Sequence, residues 1–308
     1  MNRLFITIIV ILSFSLIKVF GQELNHNYSE VDSFAKHLEY PGSLAILVES
    51  LTKNYTEDEL KARSIFSWIA FHIEYDFEGL KDHSILKTGP EGVIENGKTI
   101  CQGYANLYKE LCTLADLECE IITGWGRNSS RDIGKRKPTN HAWNAVKING
   151  SWRLVDATWG SGFGRRNKFV QEFDETYFFT PPNKMILNHY PEQLQWLLGL
   201  EFSKEEFDNT PLYLPPYLTM DISNLNRSFG FLKPKLFGKT KFEFEFKGQV
   251  KNIIVSGSGK QRETKSLKFK HKNDIVTFKF KVKKKFSRYS IYLNNEGIIM
   301  YRTTISKK

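Results

Sequence analysis

The spacing of apolar residues predicts helices in the first half of the chain and strands in its last third. From Gln102 onward, apolar side chains recur every three or four residues, which is typical of an amphipathic helix. In residues 241–246 and 278–283, aromatic or aliphatic residues alternate with charged ones, which indicates strands with one buried face. The pattern therefore predicts an α+β chain that ends in a β-sandwich.

A hairpin is predicted where two strand-like runs, residues 141–148 and 151–159, are joined by Asn149-Gly150. This dipeptide is a strong signal for a two-residue type I′ turn. The resulting register would place His141 and Asp156 on one face as diagonal neighbours. Their backbones would be about 7 Å apart, within reach of a hydrogen bond between the side chains.

Three reactive side chains fall at informative positions: Cys101 starts the predicted helix, His141 starts the hairpin, and Asp156 lies on its second strand. The N–H groups and dipole at a helix N-terminus lower the pKa of a thiol from about 8.5 and favour the thiolate. A thiolate with an imidazole and a carboxylate is the pattern of a cysteine nucleophile, its base and the group that orients the base. No cysteine or histidine spacing indicates a metal site, and we expect none.

These segments, with residues 62–70 and 73–76, resemble the transglutaminase-like superfamily of papain-like thiol enzymes over about residues 55–200. Residues 177–182 and 189–191 are similar to kyphoscoliosis-peptidase-like proteins in particular. The resemblance implies a catalytic core of N-terminal helices and an antiparallel sheet. In that core Cys101 would be the nucleophile, His141 the general base and Asp156 the group that holds the imidazole.

Other residues are expected to shape the site. We expect Gln102, Trp143 and Trp159 to border the substrate cleft, and a basic, flexible loop at residues 126–139 precedes His141.

A protein or peptide would be the substrate. No cofactor is expected; dependence on calcium stays open, although no acidic loop has the spacing of a calcium site.

The implied function is acyl transfer or hydrolysis at peptide or carboxamide bonds through a thioester. Water as acceptor would make the chain a cysteine peptidase or amidase, and an amine would make it a cross-linking enzyme; the sequence leaves both open. A non-catalytic scaffold or adhesion protein with the same fold is the alternative, and removal of glycans from asparagine, as in peptide N-glycanases, is a further one.

The length of 308 residues, 41% of them hydrophobic, is enough for one sizeable core and a second small domain. Residues 4–17 are apolar and follow Arg3, which is typical of a signal peptide and shorter than the roughly 20 residues of a membrane span. We therefore expect a secreted, periplasmic or cell-surface protein with no transmembrane span after cleavage. The expected organisation is a signal peptide (1–21), an N-terminal segment (22–54), a transglutaminase-like catalytic domain (55–205), a linker (206–235) and a basic, immunoglobulin-like β-sandwich (236–308).

The formal net charge of +10 lies largely in the lysine-rich last part of the chain. Lysines that alternate along strands are usually a solvated face that discourages aggregation at sheet edges. Binding of an acidic polymer or a cell-surface partner is the alternative, and nucleic acid is not expected because no reader motif is present. With three cysteines a disulfide framework is not expected, and Cys101 should be free.

Overall fold

The computed structural model describes residues 27–304. Its helices are α1 (Ser29–His37), α2 (Leu44–Thr52), α3 (Asp58–His72), α4 (Pro90–Asn96), α5 (Cys101–Leu114), α6 (Ala157–Ser161), α7 (Pro182–Met185), α8 (Lys204–Asn209) and α9 (Pro215–Thr219). Short 3₁₀ turns cover Ser130–Asp132, Glu175–Tyr177 and Leu194–Leu197. None of the helices in this range has the length and apolar character needed to cross a bilayer. The expected signal peptide, residues 1–21, lies outside the described residues.

The strands belong to three larger sheets and two small pairs. They are β1 (Glu74–Tyr75), β2 (Lys98–Thr99), β3 (Cys119–Gly126), β4 (His141–Ile148), β5 (Ser151–Val155), β6 (Gly162–Arg165), β7 (Lys168–Gln171), β8 (Phe178–Thr180), β9 (His189–Pro191), β10 (Leu212–Tyr213), β11 (Ile222–Ser223), β12 (Phe231–Leu232), β13 (Thr240–Phe246), β14 (Ile253–Gly259), β15 (Arg262–Leu267), β16 (Phe269–Lys272), β17 (Ile275–Phe280), β18 (Phe286–Leu293) and β19 (Glu296–Thr303). The first larger sheet is antiparallel, in the order β8-β5-β4-β3-β9.

Helices α1, α2, α3 and α5 share one hydrophobic core with the first larger sheet. The predicted periodicity of α5 is confirmed, because Tyr104, Leu107 and Leu111 on one face are all buried. Within this core the buried guanidinium of Arg63 on α3 donates two hydrogen bonds of 2.8 and 2.7 Å to Asp32 on α1. The segment before α3 is therefore packed into the core of the first half of the molecule.

The predicted hairpin register is confirmed over five residue pairs of β4 and β5. Asn149 and Gly150 have φ values of 49° and 78°, as a type I′ turn requires. The prediction of a strand to residue 159 is wrong, because β5 ends at Val155 and Asp156 caps α6. A carboxylate that accepts the N–H groups of the next turn competes with the extended backbone, and this local preference ends the strand.

The C-terminal strands form two sheets, β10-β19-β18-β14-β15 with β12 added to β19, and β11-β13-β17-β16. The predicted alternation is confirmed in β13, where Phe242, Phe244 and Phe246 are buried. The ring of Phe242 stacks at 5.2 and 5.1 Å on Phe278 and Phe280 of β17. Both sheets contribute to one aromatic-rich core, as expected of a sandwich.

The prediction that residues 206–235 form a linker is wrong for much of that range. Strands β10 and β12 pair with β19, and β11 pairs with β13, so this stretch supplies edge strands to both sheets of the sandwich. The sandwich therefore begins before residue 236. Two-residue strands separated by prolines leave no alternation in the sequence, which is why the pattern indicated a connection.

The loop between β3 and β4, which was expected to be flexible, is tied to later parts of the chain. Arg302 of β19 donates a hydrogen bond of 2.8 Å to the Ile133 carbonyl. The buried guanidinium of Arg127 donates to backbone carbonyls of residues 207–211, including Phe207 at 2.7 Å and Pro211 at 2.9 Å. These bonds join the sheet that carries His141 to the start of the sandwich.

Candidate active site

Cys101 is the first residue of α5 and is half-buried at the turn that leads from β2 into the helix. Gly103 permits this turn, because a Cβ at that position would lie 2.0 Å from Oγ1 of Thr99. As the first helical residue, Cys101 has a backbone N–H without an intrahelical acceptor. All three cysteines are free thiols, as expected for Cys101.

His141 and Asp156 are both buried and meet as the sequence predicts, although Asp156 lies at a helix cap instead of on a strand. Nε2 of His141 is 2.7 Å from Oδ2 of Asp156. On the other partner, the Cys101 thiol, His141 acts through hydrogen bonding and charge and the backbone N–H of Ala142 through hydrogen bonding, and both lower the pKa of the thiol. His141 therefore interacts with both the Asp156 carboxylate and the Cys101 thiol.

The electrostatics of the site favour a charged thiolate and imidazolium. Burial alone would raise the pKa of the Cys101 thiol, but the hydrogen bond and charge of His141, with the Ala142 N–H, bring it below its ordinary value. Burial opposes the charge on His141, yet Asp156 and then Cys101 raise the pKa of His141 to about 10. Although burial disfavours its charge, His141 and His189 hold the pKa of the Asp156 carboxyl below its usual range.

The structure adds a second imidazole that the sequence reasoning did not place in the site. Nε2 of the buried His189, on β9, is 2.9 Å from the same Oδ2 of Asp156. Burial, and to a smaller extent the charge of His141, lower the pKa of His189 despite the attraction of Asp156. A neutral His189 therefore donates its Nε2–H to the carboxylate. In the sequence, the only indication of His189 was that residues 189–191 are similar to kyphoscoliosis-peptidase-like proteins.

Two tryptophans pack against both imidazoles, and they differ in exposure. The Trp159 ring lies 5.4 Å from the ring of His141 and 4.3 Å from that of His189, and it borders an open cavity. Trp143 also packs on His141, but it is only 2% exposed, so the expectation that it borders the cleft is wrong. Trp143 lies on β4, and its side chain packs in a separate, smaller hydrophobic cluster. Gln102 is half-buried, and its amide donates to Oδ1 of Asn106 at 2.8 Å.

A cavity of about 1260 Å³ opens beside His141 and Trp159. One side is formed by the β6–β7 hairpin, including Phe163 and Phe169, and another by the start of the sandwich, including Tyr213 and Met220. Both halves of the chain therefore contribute to this cleft. Its volume is above the roughly 300–1,000 Å³ of most small-molecule pockets.

Among the described residues, one group of side chains has the geometry to hold a metal ion: His141, Asp156 and His189. Their potential ligand atoms lie within 4.8 Å of one another. Two imidazoles and one carboxylate are common ligands of zinc. The same atoms already hold Asp156 between the two rings by hydrogen bonds. An ion bound there would replace these bonds.

Comparisons with known proteins give a family match in the first half of the chain. Residues 46–157 match the sequence model of the transglutaminase-like superfamily. The chain is 33% identical to kyphoscoliosis peptidase of Mus musculus over 188 residues, which cover 59% of this chain and 28% of that protein. It is 32% identical to hillarin of Drosophila melanogaster over 187 residues, covering 54% and 22% of the two chains. The chain thus spans less than a third of the length of these relatives.

Solved structures of similar proteins include a crystal structure of a TGase, with a TM-score of 0.32 and 18% identity over 51% of this chain and 40% of that one. Red sea bream transglutaminase has a TM-score of 0.32 and 10% identity, over 88% of this chain and 58% of that one. The sequence match at residues 46–157 includes Cys101, His141 and Asp156. Residues 46–157 therefore match a domain of the transglutaminase-like superfamily, and the chain is similar in sequence to kyphoscoliosis peptidases.

Proposed function

We propose that this chain is a thiol enzyme that transfers an acyl group from a peptide or carboxamide to water or to an amine. The observation that supports it is that His141 interacts with both Asp156 and Cys101, so that the pKa of the thiol is lowered and that of the imidazole is raised. A buried cysteine with a merely structural role would have the opposite shift, as Cys112 does, whose pKa burial raises.

In the first step, Sγ of Cys101 attacks the carbonyl carbon of the substrate, and the carbonyl electron pair moves onto the oxygen. The backbone N–H of Cys101 is the nearest candidate to stabilise that oxyanion. When the tetrahedral intermediate collapses, the C–N bond breaks and His141 donates its proton to the departing amine. A thioester on Cys101 remains.

In the second step, water or a primary amine gives a proton to His141 and attacks the thioester, and Cys101 leaves as the thiolate. Asp156 holds the imidazole in the required tautomer and stabilises its charged form, while His189 holds Asp156 from the other side. The role of His189 is thus one of positioning.

Hydrolysis of a protein or peptide is the form of the reaction that we favour. The cleft has room for an extended chain, and the name of the similar kyphoscoliosis peptidases describes hydrolysis. The scaffold alternative, in which the same fold binds partners without turnover, is kept because the chain is also 30% identical over 179 residues to a protein of Schizosaccharomyces pombe whose name, cytokinesis protein 3, describes no enzymatic activity. Export from the cell, expected from residues 1–21, remains part of the proposal.

The first test measures the rate of iodoacetamide alkylation of Cys101 against pH by peptide mass spectrometry. We expect Cys101 to react fast well below pH 8 because His141 lowers the pKa of its thiol. The buried Cys112 and Cys119 in the same molecule are internal controls and should stay unreactive until the protein unfolds. The His141→Ala variant should lose the low-pH reactivity.

The second test offers the protein a peptide library with and without a fluorescent primary amine. Cleavage indicates water as acceptor, and incorporation of the amine indicates cross-linking; both should disappear in Cys101→Ala. If Cys101 titrates like an ordinary thiol in wild type and in His141→Ala, the enzyme proposal is wrong. A biological effect that Cys101→Ala retains in full would support the scaffold.

A further inference from the structure

The loop between β12 and β13, residues 233–239, carries two apolar side chains in open solvent. Leu236 is 78% exposed and Phe237 is 88% exposed, more than any other large hydrophobic residue that the structure describes. Isolated apolar residues are common on protein surfaces, but an adjacent pair at the tip of a loop adds nothing to the core. Their exposure therefore has no explanation in the folding of the sandwich.

Six exposed lysines surround this tip. Lys233, Lys235 and Lys239 lie in the loop itself. On the adjoining sheet, Lys241 of β13 pairs directly with Lys279 of β17, and Lys281 follows two residues later on the same face. We call this set the loop patch: residues 233–239 together with Lys241, Lys279 and Lys281.

Stability does not explain the arrangement of these charges. Two lysines directly opposite each other on neighbouring strands repel and destabilise the sheet. Among the described residues, only Lys241 of the loop patch has a carboxylate in ion-pair distance, Glu243 at 2.6 Å. Five of the six ammonium groups are thus available to a ligand of opposite charge.

We propose that the loop patch docks the sandwich onto an anionic lipid surface. Leu236 and Phe237 would enter the boundary between headgroups and acyl chains, and the lysines around them would meet the lipid phosphates. An acidic protein or polymer would satisfy the lysines alone, whereas a lipid surface also accounts for the apolar tip. This surface is independent of Cys101, so its test does not rely on the proposed chemistry.

The test is sedimentation of the protein with phosphatidylcholine vesicles that contain or lack phosphatidylglycerol. We expect binding only to the anionic vesicles. The double variant Leu236→Ser/Phe237→Ser should weaken it by at least about tenfold, and Lys239→Glu/Lys279→Glu by a similar factor. All four side chains are exposed, so the variants should unfold at temperatures no lower than that of wild type.

Matched controls come from the transglutaminase-like half of the chain. Leu194→Ser removes another apolar residue that is 63% exposed, and Lys53→Glu/Lys81→Glu changes the net charge by the same amount as the lysine variant above. Neither control should change vesicle binding. Failure to bind anionic vesicles, or equal binding by Leu236→Ser/Phe237→Ser, would overturn the proposal. Binding to heparin but not to vesicles would also overturn the proposal and would favour an acidic polymer as the ligand of the loop patch.

Discussion

The two halves of the molecule bury very different clusters. In the transglutaminase-like half, Asp156 lies between His141 and His189 and is fully buried. In the sandwich, Phe242 packs among other aromatic rings. A buried charge is stable only while every partner is in place, whereas an apolar core depends on filled volume. The difference predicts that damage to the first cluster changes chemistry and that damage to the second changes stability.

The largest effect is expected at Asp156. The Asp156→Asn variant can still accept the N–H groups that cap α6, but it cannot stabilise the imidazolium or fix its tautomer. Peptide turnover should fall by about 10⁴-fold. The Asp156→Ala variant should also lose about 3–5 kcal/mol of stability, because two buried imidazoles lose their partner.

These two variants are checked by turnover and by urea unfolding. The control is Asp82→Asn, since Asp82 accepts a backbone N–H in an exposed turn in the same way. It should leave turnover unchanged. Full activity in Asp156→Asn would show that the carboxylate has no part in the reaction.

The sandwich should behave in the opposite way. The Phe242→Ala variant removes a fully buried ring and should cost about 3–5 kcal/mol of stability through lost burial and the cavity left behind. The pH dependence of Cys101 alkylation should not change under conditions where the protein stays folded. Denaturant unfolding and alkylation measure the two effects separately.

Phe237→Ala is the matched control for this prediction, because Phe237 is exposed and its loss should not change the unfolding midpoint. A shift in the pH dependence of Cys101 alkylation in folded Phe242→Ala would show that the two clusters are coupled. The two clusters would then not affect chemistry and stability separately.

A smaller effect on chemistry is expected at His189. The His189→Phe variant keeps a ring of similar size but removes the 2.9 Å hydrogen bond to Asp156. A hydrogen bond to a charged group contributes about 1.5–3 kcal/mol, so turnover should fall by roughly 10- to 100-fold. The alkylation profile of Cys101 should also shift, because Asp156 would hold His141 less firmly.

His189→Gln is the informative partner variant, since its amide can still donate to Asp156. It should recover part of the turnover and of the pH profile. Equal profiles for wild type and His189→Phe would show that His189 only fills space.

The smallest effect is a dependence of stability on pH. The pKa of His141 is about 10 in the folded protein and 6.5 when unperturbed, so its charge stabilises the fold fully below pH 6.5. That contribution should be lost as the pH rises from about 6.5 to 10. The lowered pKa of Cys101 acts in the opposite direction, so the measurement is best made in Cys101→Ser.

In that background, the free energy of unfolding should decline as the pH rises above about 6.5, over a narrower range than in wild type because Cys101 no longer raises the pKa of His141. The decline should be weaker after His141→Gln. His37→Gln, at an exposed histidine, is the control and should leave the slope unchanged. An identical slope in all three proteins would show that the charge on His141 does not contribute to the stability of the fold.

Local patterns predicted those parts of the structure that depend on neighbouring residues. The start of α5 at Cys101 followed from apolar spacing, and the register of β4 and β5 followed from Asn149-Gly150. The end of β5 at Val155 was missed although its cause, capping by Asp156, is also local. Two local preferences compete there, and the pattern of residues did not show which is stronger.

The sequence by itself determined the thiol at a helix start, the approach of His141 to Asp156, and the alternating core of the sandwich, because turn geometry and side-chain periodicity act over a few residues. Only the tertiary structure decided that His189, 33 residues beyond Asp156, shares its carboxylate, and that residues 212–232 join the sandwich. Such contacts depend on how separate strands pair and pack. No local spacing encodes them, because the energy that selects them comes from burial across the whole fold.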